Sequence, residues 1–112
     1  SILAKLFRIS KKVNNMSKSI SYKKSLVERL KNPKEAAAYL NASLEDEDLR
    51  VFLVALRDVA EAHGGVSSLA KETDLNRESL YRTLSLQGNP TIMNLFLMLD
   101  ALGLEINIKA AI

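Results

Sequence analysis

The groups best spaced for chemistry in this sequence lie between Val66 and Leu84, VSSLAKETDLNRESLYRTL. On a helix opening near Arg77, the side chains of Arg77, Glu78, Tyr81 and Arg82 project away from Leu80 and Leu84, which repeat at i, i+4. Guanidinium groups set in this way chelate phosphate oxygens or the O6 and N7 atoms of guanine, a chemistry of recognition in which no bond is made or broken. Such side chains need a rigid support. A first helix turns Leu69 and Ala70 inward, and Ala70 is small enough for a second helix to cross closely. Asp74 falls at the turn, where φ > 0 is frequent and Asp is tolerated. Leu75 plugs the angle between the helices and Asn76 is a good N-cap for the second. The arrangement is that of a helix-turn-helix reader of the major groove. An ordinary αα-corner with a solvated face satisfies the same spacing.

The rest of the sequence is poor in reactive groups. There is no Cys, hence no disulfide framework, thiolate nucleophile or Cys-based zinc site. The single His63 precedes Gly64-Gly65 and suits a helix C-terminus, where an imidazole complements the macrodipole. No P-loop, dinucleotide fingerprint, HExxH or nucleophile elbow occurs, and the carboxylates are scattered. Neither catalysis nor a metal or other cofactor is expected. No apolar run approaches the roughly 18–20 residues that span a bilayer. The amino end interleaves Lys and Arg with its apolar residues and lacks a cleavage-type site. The expectation is a cytoplasmic protein of bacterial type without membrane contact.

The net charge of +3 hides a split: residues 1–34 carry ten Lys/Arg against Glu28, and residues 35–112 carry six against twelve acids. Within Val66–Leu84, Lys71, Arg77 and Arg82 are matched by Glu72, Asp74 and Glu78. This stretch therefore has little nonspecific attraction for phosphate, and a dimer would double its contacts.

Taken in order, residues 1–17 are set apart as a disordered or appended segment, with a basic DNA-contacting arm as the alternative, and residues 18–112 form one domain. A helix is expected over Tyr22–Lys31, with Tyr22, Leu26 and Leu30 on one stripe. Asn32-Pro33 opens the next, to about Ala42, with Tyr39 and Leu40 apolar at its end. Ser43 is expected to cap a long helix whose first turn holds Glu45, Asp46, Glu47 and Asp48 and which Gly64-Gly65 stops near Ala62. Asn89-Pro90 repeats the Asn-Pro start for a last helix over Thr91–Leu102. That helix is apolar on both sides: Ile92, Leu95, Phe96, Leu99 and Leu102 on one, Met93, Leu97, Met98 and Ala101 on the other. In a chain of 112 residues this favours a partner surface. Leu104 to Ile108 alternates like a short strand.

The blocks AAAYLNASLED, SSLAKETDLNRESLYRTLS, GNPT and LDALGLEI carry a resemblance over roughly residues 18–108. The chain resembles the HigA-type antitoxins, the addiction module antidote branch of the Xre/Cro-like helix-turn-helix proteins. That resemblance implies an all-α, five-helix, lambda-repressor-like domain, here with an N-terminal helical extension and a short C-terminal strand. It also implies a homodimer that binds double-stranded operator DNA, represses its own operon and neutralises a RelE-like toxin, typically an mRNA endonuclease, by direct contact. A stand-alone prophage-type repressor without a toxin is the alternative. An interaction module that no longer binds DNA is a third.

Carried over by position, the first motif helix is about Ser67–Thr73 and the recognition helix about Arg77–Ser85. The residues implied at DNA are Ser67, Ser68, Asn76, Arg77, Glu78, Ser79, Tyr81, Arg82 and Asn89. Many such turns have Gly where this chain has Asp74. The expected dimer interface uses Met93, Leu97, Met98, Leu104, Ile106 and Ile108. Toxin contact is expected at Tyr22, Leu26, Leu30, Tyr39 and Leu40, with packing of these residues into the domain's own core as the alternative.

Overall fold

The computed structural model describes Ile2 and residues 19–112. The segment expected over residues 1–17 lies, Ile2 apart, outside the described residues. Residues 19–112 form six helices: α1 (Ser19–Leu30), α2 (Pro33–Ser43), α3 (Arg50–Ala62), α4 (Val66–Thr73), α5 (Arg77–Thr83) and α6 (Ile92–Ala101).

The helix α3 is the hub. Its apolar residues recur at nearly every turn position, so Val51, Phe52, Leu53, Ala55, Leu56, Val59, Ala60 and Ala62 are all buried. α1 and α2 pack on α3 and on each other, and α4 touches α3, α5 and α6. The core closes with Leu30 of α1, Ala36 and Leu40 of α2, Leu69 and Ala70 of α4, Leu80 and Leu84 around α5, Met98 and Leu99 of α6, and Leu102 just past its end. Each large apolar side chain buried there contributes about 1.5–3 kcal/mol.

The local starts and stops follow from capping chemistry. Asn32 caps α2, its Oδ1 accepting from the Lys34 N–H at 2.9 Å, with Pro33 in the first turn. His63 ends α3 as its C-cap, and its Nε2 lies 3.3 Å from the Leu30 carbonyl, joining the ends of α1 and α3. Gly64 and Gly65 then take φ of 98° and 92°, and the Gly65 N–H bonds back to the Ala60 carbonyl at 2.9 Å.

The structure corrects three expectations. Ser43 does not cap α3: it is the buried last residue of α2 and donates to the Leu40 carbonyl at 2.6 Å. The acids at 45–48 precede α3, which begins only at Arg50. Asp46 Oδ1 takes the Asp48 N–H at 2.8 Å and Asp48 Oδ1 takes the Arg50 N–H at 3.0 Å, so these side chains replace helical backbone bonds with Asx turns. The Arg50 guanidinium bonds back to Asp48, and this holds the Asp48 carboxyl below the usual carboxylate range.

The cap of α6 is likewise Thr91, which accepts from the Asn94 N–H at 3.1 Å, and not Asn89. The third correction concerns Leu104–Ile108. The chain leaves α6 through Gly103 at φ 75°, and no strand occurs among the described residues. Alternation alone does not make a strand, because the ladder needs a neighbouring backbone.

Candidate nucleic-acid interface

α4 and α5 meet at a turn built as their sequence requires. Asp74 adopts the left-handed conformation, φ 59° and ψ 29°, without glycine. The N–H groups of Asp74 and Leu75 both reach the Ala70 carbonyl. Asn76 opens α5 by accepting from the Ser79 N–H at 2.9 Å. Leu69, Ala70, Leu80 and Leu84 are buried and Leu75 is half-buried against them, so the inner side of both helices is fixed. After α5, Ser85 Oγ donates to the Arg82 carbonyl at 2.6 Å and Gly88 folds back on the helix end. A Cβ at Gly88 would stand 1.8 Å from the Thr83 carbonyl oxygen, so no other residue fits this loop as it lies.

The outer side carries the side chains expected at DNA. Arg77, Glu78, Tyr81 and Arg82 are exposed. Arg77 Nη1 stands 3.5 Å from Ser67 Oγ, which brings the start of α4 against the start of α5. Arg82 Nη2 stands 3.4 Å from Ser79 Oγ. Both contacts are long, so the guanidiniums remain able to exchange them for stronger acceptors. Ser68 is half-buried near the start of α4 and Asn89 is exposed in the loop between α5 and α6. The side-chain Oδ1 of Asn76 is already engaged as a cap.

Two relationships had no signal in the sequence. The Arg57 guanidinium of α3 lies over the Tyr81 ring, 5.3 Å from its centroid, and is 3.6 Å from Glu61. Tyr39 Oη donates to Asp58 Oδ2 at 2.6 Å. Each pair joins different helices, so no local spacing reveals it.

The family described as "probable addiction module antidote protein" matches residues 21–110. The chain belongs to this family. An uncharacterized protein of Haemophilus influenzae (strain Rd) is 33% identical over 84 residues, covering 75% of this chain and 86% of the relative. No solved structure gives a significant match. The family role is that of the antitoxin in a toxin–antitoxin pair, and its helices α4 and α5 sit at the centre of the matched region.

The antidote's remaining candidate residues divide sharply by burial. Leu30 and Leu40, expected at a toxin surface, are 0% and 5% exposed and belong to the core. Leu26 and Tyr39 are partly buried against the same core. Of that set only Tyr22 is exposed, at the solvent side of α1.

On α6, Met98 is also fully buried, as part of the core cluster. The open apolar face is instead Ile92, Met93, Phe96 and Leu97, spaced i, i+1, i+4, i+5 and 44–67% exposed. Met93, Phe96, Leu97, Leu104 and Ile106 line one shallow groove beside Asp100 and Glu105. Ile108 is exposed beyond it. No helix among the described residues is long and apolar enough to cross a membrane.

Proposed function

We propose that this antidote protein is a HigA-type, Xre/Cro-like autorepressor that binds its operator as a dimer and neutralises a RelE-like toxin by direct contact. The observation that carries the DNA-binding part is the two-sided character of α5. Leu80 and Leu84 hold its inner side at 3% and 0% exposure, while Arg77, Tyr81 and Arg82 face outward. A short helix anchored in this way presents its guanidiniums at little further entropic cost, and an Arg on guanine O6 and N7 contributes on the order of 1–3 kcal/mol of discrimination. Ser67 and Ser68 at the start of α4 are suited to phosphate, where contacts position the protein without reading sequence.

The exposed face of α6 supports the dimer. Pairing Ile92, Met93, Phe96 and Leu97 across a two-fold axis removes a contiguous apolar patch from water. Two copies of α5 then meet successive major grooves about 34–36 Å apart on a palindrome. Toxin contact falls to the outer side of α1 and α2, centred on Tyr22, since the inner residues of these helices are occupied by the core.

A reporter gene behind the chain's own upstream region, in cells that also express the neighbouring reading frame, tests both activities at once. The parent represses the reporter and restores growth. Arg77→Ala with Arg82→Ala loses repression and keeps growth rescue. A parent that leaves the reporter unrepressed refutes the operator reading, and one that gives no rescue refutes the toxin reading.

A further inference from the structure

Tyr81 sits 40% exposed on α5, a helix of seven residues. An exposed phenol on so short a support samples several rotamers, and binding must select one. Here a neighbouring helix supplies a contact that favours one. Arg57 reaches across from α3, the most buried helix of the fold, and places its guanidinium 5.3 Å from the Tyr81 ring centroid. Arg57 also has a counter-charge on its own helix, its Nε lying 3.6 Å from Glu61 one turn further along α3. Glu61 also receives Lys23 of α1 at 3.4 Å, which fixes the carboxylate between two cations.

We propose that Arg57 is a positioning residue of the DNA-reading surface, holding the Tyr81 ring by a cation–π contact so that its hydroxyl and the adjacent Arg77 and Arg82 meet DNA in one arrangement. It rests on the operator-binding reading given above. Arg57 acts through Tyr81 and does not touch DNA. Its guanidinium is engaged by Glu61 and by the Tyr81 ring, so its role is to orient the ring and not to neutralise phosphate. An exposed cation–π contact of ordinary strength corresponds to a roughly two- to fivefold change in binding.

The test uses the full chain, the duplex upstream of its own reading frame and a scrambled duplex of equal length. Arg57→Met keeps the apolar stem and removes the cation, and Tyr81→Leu removes the ring. Arg57→Met weakens the upstream duplex roughly two- to fivefold, with the salt dependence unchanged. In the Tyr81→Leu background the same change has no further effect. Additive losses in the double variant, or a shallower salt slope in Arg57→Met, overturn the proposal, because both mark a cation that neutralises phosphate itself.

Side-chain NMR reads the stack without DNA. The Arg57 δ-protons are shifted by the ring current in the parent, and the shift disappears in Tyr81→Leu. Equal shifts in both proteins overturn the proposal even where DNA binding is intact. A parent that does not prefer the upstream duplex overturns the operator reading and this role with it, a failure that an intact ring-current shift distinguishes from loss of the stack.

Discussion

Tyr39 Oη lies 2.6 Å from Asp58 Oδ2 and donates its proton to it, a short bond between α2 and α3 across nineteen residues of chain. Burial, then the neighbouring Asp58, pushes the Tyr39 phenol well above its ordinary pKa, so it remains a donor throughout the physiological range. A hydrogen bond to a charged group contributes about 1.5–3 kcal/mol. Tyr39→Phe is expected to lower the unfolding free energy by that amount in chemical denaturation, with helicity by circular dichroism unchanged.

Asp58 supplies a pH dependence of unusual sign. Burial raises its carboxyl pKa more than the Tyr39 hydrogen bond lowers it. The folded state therefore holds this proton more tightly than the unfolded one. Its contribution to stability is complete below the ordinary carboxylate pKa and is lost as pH rises through the raised value. The unfolding free energy of the parent, less that of Asp58→Asn, falls as pH is raised across this window. A difference that grows with pH contradicts the burial of Asp58.

α1 and α2 are structural before they are anything else. Leu30 is fully buried, and Ala36 and Leu40 close the same cluster against α3. Leu30→Ala is expected to cost about 2–5 kcal/mol, as large-to-small changes in cores do. A chain beginning at Ser43 exposes the α3 face that these residues cover and is expected to be unfolded. Cooperative thermal unfolding of that shortened chain, near the parent's midpoint, contradicts the packing described here.

What the sequence disclosed and what it hid divide along one physical line. Asn32-Pro33, Gly64-Gly65, Asp74 and Asn76 act on backbone within a few residues, so their roles were legible and the structure has each as expected. Ser43 misled because a hydroxyl able to cap a helix can equally bond back to the carbonyl three residues earlier. Asp46 and Asp48 misled because the same side chains cap helices and build Asx turns. Met98 misled because a helix apolar on both sides carries no phase, and only its neighbours decide which side is covered. Arg57 with Tyr81 and Tyr39 with Asp58 were invisible, since each pairing depends on how helices cross.

The two sides of α6 make opposite predictions. Phe96→Glu places a charge on the open face, 45% exposed in the parent, and is expected to halve the mass in sedimentation while the fold is kept. Met98→Glu buries the same charge and is expected to unfold the chain. A parent that sediments as a monomer at tens of micromolar removes the proposed two-fold arrangement.

Guanine readout by α5 is assigned to Arg77 and Arg82, both exposed beside the buried Leu80. Methylation interference on the upstream duplex probes this readout at the atom involved, because a methyl group on guanine N7 blocks one arm of a bidentate Arg contact. A small set of interfering guanines is expected, in two half-sites one helical turn apart. Some of these cease to interfere in Arg77→Ala and others in Arg82→Ala. Interference that is absent, or identical in the parent and both variants, contradicts it.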